Sequence, residues 1–146
     1  MGMERKEVKL TQKQFTDIYD AYELMDFDFN DAQEDLEYLI DWLETMPEEI
    51  KLYRVIHLFE EDVLDTKRLG DHYSWDKKNL LDAKYMSTGW LDTAEEGKTV
   101  LVEVKAQREM ISDFDTILNN ILYPHEKEVT LKDKGRGVTI LDIIDI

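Results

Sequence analysis

The sequence predicts an α+β fold in which helices come first and strands follow. Three observations lead there. Before Pro47, apolar residues recur at steps of three and four, the period of an amphipathic helix. After Pro47, the apolar segments are rich in β-branched and aromatic residues and alternate with polar ones. The two patterns are segregated along the chain rather than interleaved, which favours α+β over a doubly wound parallel sheet. The 146 residues fit one domain, 1–146. Within it, about residues 10–47 form an acidic helical part and about 50–146 a β-rich part.

Phe15, Ile18, Tyr19, Tyr22 and Met25 make the stripe of a first helix. Leu36, Leu39, Ile40 and Leu43 make that of a second, with Asp28, Asn30 and Asp31 as N-cap candidates and Pro47 as its stop. Residues 50–59, IKLYRVIHLF, read as the first strand. In residues 99–105, TVLVEVK, alternation puts Val100, Val102 and Val104 on one face and Leu101, Glu103 and Lys105 on the other. Ser112 to Leu122 reads as a short helix carrying Phe114, Ile117, Leu118 and Ile121 on one side, with Ser112 or Asp113 as cap. Val129–Leu131 and Val138–Ile144 are further strands, and Gly135 and Gly137 between them predict that the two form a hairpin.

The charge is strongly acidic, with 18 Lys and Arg against 34 Asp and Glu, a balance of −16. That argues against a general nucleic-acid binder, which needs basic surface to displace phosphate counterions, and against anionic membranes. The excess is uneven. Residues 1–50 hold four basic and 15 acidic residues, a balance of −11, and residues 51–146 hold 14 and 19, a balance of −5. The acidic residues lie mainly between the helical stripes, as a solvated face or as a surface for a basic partner. The absence of cysteine removes disulfides, thiolate metal sites and thiol nucleophiles. No apolar run approaches the roughly 20 residues needed to span a bilayer. The charged stretch Met1 to Lys13 lacks the apolar centre of a signal peptide, so a cytoplasmic location is expected.

Phosphate-binding glycine loops and the serine-hydrolase elbow are missing, and His57, His72 and His125 are too scattered to suggest a metal. Three segments nevertheless carry chemistry. Arg54, in Leu52-Tyr53-Arg54-Val55, falls on the face of Leu52, Ile56 and Leu58. A guanidinium on an apolar face needs a partner, either an internal carboxylate or a bound phosphate. Tyr85-Met86-Ser87-Thr88-Gly89-Trp90 suits a strand end where a ligand nears the backbone, although an ordinary turn reads the same. In Tyr123-Pro124-His125-Glu126-Lys127-Glu128, period two puts Glu126 and Glu128 on one face. Such a pair is either solvated or built to stabilise a cationic transition state.

Taken in order, Arg54 in an LYRV strand, Ser87-Thr88-Gly89, and Glu126-Lys127-Glu128 leading into VTL resemble the arginine–serine–glutamate signature of mono-ADP-ribosyltransferases of bacterial or bacteriophage type. The spacings, roughly 33 and 40 residues, are similar as well. The resemblance covers about residues 50–146, including Leu69-Gly70-Asp71 on the approach to the serine segment. It implies a split sheet sandwich preceded by helices, and NAD as substrate with no metal. Arg54, with its neighbour Tyr53, would hold the NAD phosphates and the nicotinamide end. Ser87 and Thr88 would shape the nicotinamide-ribose pocket. Gly89 stands where the family has a serine, which enlarges the pocket or loosens the backbone. Glu128 would be catalytic, stabilising the oxocarbenium ion as nicotinamide departs. Glu126 would orient and deprotonate an acceptor guanidinium, so the implied partner is an arginine on a host protein. Local basic residues Lys67, Arg68, Lys77, Lys78 and Lys84 would make the pocket positive, or form a solvated loop; Trp75 and Trp90 read as core, with stacking on a ring of the ligand as the alternative. The alternative is a protein of the same fold that has lost the reaction and binds a basic partner through its acidic helices.

Overall fold

A computed structural model describes residues 7–58, 72–78, 98–124 and 127–145. Among these residues the fold is α+β, with three helices and a five-stranded antiparallel sheet. Helix α1 spans Gln12–Leu24 and α2 spans Phe29–Glu44. Thr11 and Gln14 cap α1 reciprocally, each side chain bonding the other's backbone N–H. Of the three candidates for the α2 cap, Asp28 is the one used, its Oδ1 accepting from the Asp31 N–H at 2.8 Å. Asp28→Ala is expected to destabilise the fold by about 1 kcal/mol, and Asp28→Asn by much less; thermal melts of both variants check this. α2 ends three residues before Pro47, which needs an extended residue ahead of it.

Strand β1 covers Glu49–Leu58, β2 His72–Ser74 and β3 Lys98–Gln107. After a 3-10 turn at Arg108–Met110, helix α3 runs over Asp113–Leu122. Strand β4 covers Glu128–Thr130 and β5 Thr139–Asp145. The sheet order is β4-β2-β1-β3-β5. β1 and β3 pair along ten residues, from Glu49 opposite Gln107 to Leu58 opposite Lys98. A bulge between Glu103 and Val104 interrupts the pairing of β3 with β5.

The expected hairpin of the last two strands does not form: β4 and β5 lie at opposite edges of the sheet. The connection explains why. Asp133, Lys134, Gly135 and Gly137 all take positive φ, and Asp133–Gly135 winds into a 3-10 turn instead of a two-residue hairpin loop. This connection passes the end of β3, where the Lys132 N–H donates to the Met110 carbonyl. Next to it, Ile111 bridges Leu131. β5 is thereby delivered to β3.

One face of the sheet carries the core. Leu52, Val100, Val102, Val104, Tyr73 and Val129 are buried there in one cluster with Ile18, Tyr22, Leu36, Leu39, Leu43, Ile117 and Ile121 from the three helices. The three valines expected to share a face do so. Leu101, on the other face, is equally buried. Burial and the Asp35 carboxylate, which accepts from the Tyr22 hydroxyl at 2.7 Å, push the Tyr22 phenol far above its usual range.

Candidate functional site

Two cross-strand rows reach the β4 edge of the sheet. Tyr53 on β1 faces Ser74 on β2, and Ser74 faces Glu128 on β4. These three side chains therefore share a face, with His72 and Thr130 two residues along on the same side. Arg54 belongs to the opposite face with Leu52 and Val102, as the sequence alternation predicts.

Glu128 is 8% exposed. Its Oε2 accepts from the Thr130 hydroxyl at 2.7 Å and lies 2.9 Å from Nδ1 of His72. The Asn119 side chain of α3 in turn donates to the Thr130 hydroxyl at 3.0 Å. A buried polar chain of this kind holds a carboxylate in one rotamer. Among the described residues, no group bonds Oε1 of Glu128. Among these residues, therefore, one carboxylate oxygen is anchored and the other has no hydrogen-bond partner.

Helix α3 fixes the strand that carries it. β4 would expose an open edge, but Thr116 closes it, accepting from the Thr130 N–H at 3.0 Å and donating to the Thr130 carbonyl at 3.3 Å. Asn120 donates to the Glu128 carbonyl at 2.8 Å. Thr116 and Asn120 are four residues apart, so one helical face presents both.

Arg54 is linked to this group through β2. Its Nη1 donates to the His72 carbonyl at 3.0 Å, while the His72 ring meets Glu128. The structure therefore joins Arg54 and Glu128 through one intervening residue, reaching it from opposite faces. Tyr53, half-buried, shares the face of Glu128 with Ser74 between them. Ser87, Thr88 and Glu126 lie outside the described residues, as do Lys67, Arg68, Lys84 and Trp90. Lys127 has a φ of 47°, left-handed rather than extended, so the strand begins at Glu128. The Lys127 ammonium pairs with Asp76 at 3.0 Å and lies 5.2 Å from the Trp75 ring centre. Trp75, read from the sequence as core, is 41% exposed and packs against Trp42.

Sequence reasoning missed His72, Ser74 and Thr130. Ser74 is buried beside Glu128, accepting from the Asp76 N–H at 3.2 Å, with the Lys127 carbonyl 3.3 Å from its hydroxyl. A three-residue strand is too short to show alternation, although Gly70-Asp71 just before it marks a break in the chain.

No protein-family profile, curated protein or solved structure matches this chain. A separate groove of about 270 Å³, lined by Trp42, Met46, Pro47, Ile50 and Trp75 among others, includes neither Arg54 nor Glu128. Among the described residues, no cluster of three or more His, Asp or Glu side chains is arranged to hold a metal, and no helix is long and apolar enough to cross a membrane.

Proposed function

We propose that this chain is a mono-ADP-ribosyltransferase with the split sheet sandwich of that family, using NAD as substrate and arginine as acceptor. The observation that carries the reading is the state of Glu128: a buried carboxylate anchored through one oxygen and, among the described residues, without a hydrogen-bond partner at the other. That second oxygen suits acceptance of a hydrogen bond from a nicotinamide-ribose hydroxyl. Its negative charge favours the oxocarbenium ion as the bond between C1′ and the nicotinamide nitrogen breaks. The electron pair leaves with nicotinamide. A guanidinium nitrogen of the acceptor then attacks C1′ and gives its proton to Glu126. Arg54 supplies the positive charge for the diphosphate, and its planar fork suits paired phosphate oxygens better than lysine would. The family resemblance assigns these roles. Arg54 and Glu128 meet His72 from opposite faces of the sheet, so the reading rests on Glu128 rather than on a shared cleft.

The test uses the full chain with labelled NAD, and agmatine as a defined arginine-like acceptor. Nicotinamide release and transfer of label to agmatine are the expected results. NAD at 100 times its Kd should stabilise the fold by about 2.7 kcal/mol, seen as a rise in Tm. Neither release nor a shift in Tm would reject the reading. Release without transfer would reassign the chain as an NAD glycohydrolase.

A further inference from the structure

The junction of α1 and α2, from Leu24 to Phe29, exposes four large apolar side chains within six residues. Leu24 is 75% and Phe29 68% exposed, and Met25 and Phe27 are each 39% exposed. Burial inside the domain does not explain them, yet they are ordered by it. The Phe29 ring stacks on Tyr19 at 5.8 Å, and the Phe27 ring meets buried Tyr22 edge-on at 5.0 Å. Rings fixed in this way lose little freedom when a partner covers them. Contiguous exposed apolar groups of this kind mark interaction surfaces.

The charge around them says what the partner is. Asp20, Glu23, Asp26, Asp28 and Asp31 surround the tip, and residues 14–50 contain no Lys, Arg or His at all. The negative end of the α1 dipole also points there, with no basic residue in its last turn. Glu23 in that turn adds repulsion that an intramolecular lysine would have relieved. Asp28 and Asp31 answer the positive end of α2, whereas Asp20, Glu23 and Asp26 pair with no basic side chain among the described residues, so the tip is an apolar centre beside an anionic rim, the arrangement of an interface hot spot for a cationic partner.

We infer that the α1–α2 tip is a docking surface for a basic protein segment that presents apolar anchors between lysines or arginines. Nucleic acid is repelled by it, and a second copy of this chain would bring the same negative charge. The inference stands apart from the transferase reading, because it uses no residue of that site.

The probe is a labelled peptide of lysines and serines carrying two tryptophans, with a control peptide in which serine replaces tryptophan. Binding to the full chain is followed by fluorescence anisotropy. The tryptophan peptide should bind, weaken with salt, and exceed the control by about tenfold or more. Phe29→Ser and Glu23→Lys should each weaken it by about tenfold or more. Both positions are exposed, so the fold is retained. Glu23→Lys should even raise Tm, since it repairs the helix terminus. Four results would overturn the inference: no binding, equal binding of both peptides, binding indifferent to the two substitutions, or concentration-dependent dimerisation that Phe29→Ser abolishes. The last would assign the tip to a second copy of the chain.

Discussion

Replacing Glu128 with glutamine should lower nicotinamide release by on the order of 10²–10³-fold while leaving the fold and NAD binding nearly intact. Glutamine has the same shape, and its amide oxygen can still accept from the Thr130 hydroxyl that now bonds Oε2 at 2.7 Å. What disappears is the full negative charge needed as the ribose becomes cationic. The loss should therefore fall on kcat, with the NAD-induced rise in Tm preserved. Arg54→Ala should do the reverse, weakening the NAD effect on Tm first, since its guanidinium is assigned to the phosphates. Unchanged release by Glu128→Gln would remove this carboxylate from the chemistry and, with it, the transferase reading.

Local signals were readable wherever the element is long. Phe15, Ile18, Tyr19 and Tyr22 of the expected stripe lie on α1, whereas Met25 is its C-cap and 39% exposed, and the alternation of Val100, Val102 and Val104 is the core face of β3. Longer-range pairing was less readable. Gly135 and Gly137 mark a turn, but a turn residue specifies only local φ, and the bonds that send β5 to β3 come from Met110 and Ile111, far away in sequence. The site divides in the same way. Arg54 announces itself as a charge among apolar neighbours, and Glu128 as part of a spaced pair. His72 and Thr130 carry no pattern, and they matter only because β2 happens to pair with β4.

Arg108 is the extreme case, and its loss should have the largest effect on stability. Nothing in the segment Ala106-Gln107-Arg108-Glu109-Met110 marks it, yet it is 4% exposed. Its Nε donates to the Leu43 carbonyl at 2.9 Å, near the C-terminus of α2, and its Nη2 lies 3.0 Å from Asp113 Oδ1, at the start of α3. One guanidinium thus serves the negative end of one helix and lies in ion-pair range, without a hydrogen bond, of the carboxylate at the positive end of another. α2 has no basic residue of its own in its last turn, so nothing local replaces that charge. Arg108→Ala would leave the Asp113 carboxylate, whose side chain is 23% exposed, without its cation. The expected cost is about 3–5 kcal/mol by denaturant unfolding. Arg108→Met combined with Asp113→Asn should cost less than Arg108→Met alone, because the stranded charge is gone. A cost below about 1 kcal/mol for Arg108→Ala would be that of an exposed pair and would refute this account. The consequence extends to function. Thr116, Asn119 and Asn120 on α3 hold β4 and the Thr130 hydroxyl that anchors Glu128. Loosening the start of α3 should therefore reduce nicotinamide release even in Arg108 variants that remain folded at the assay temperature.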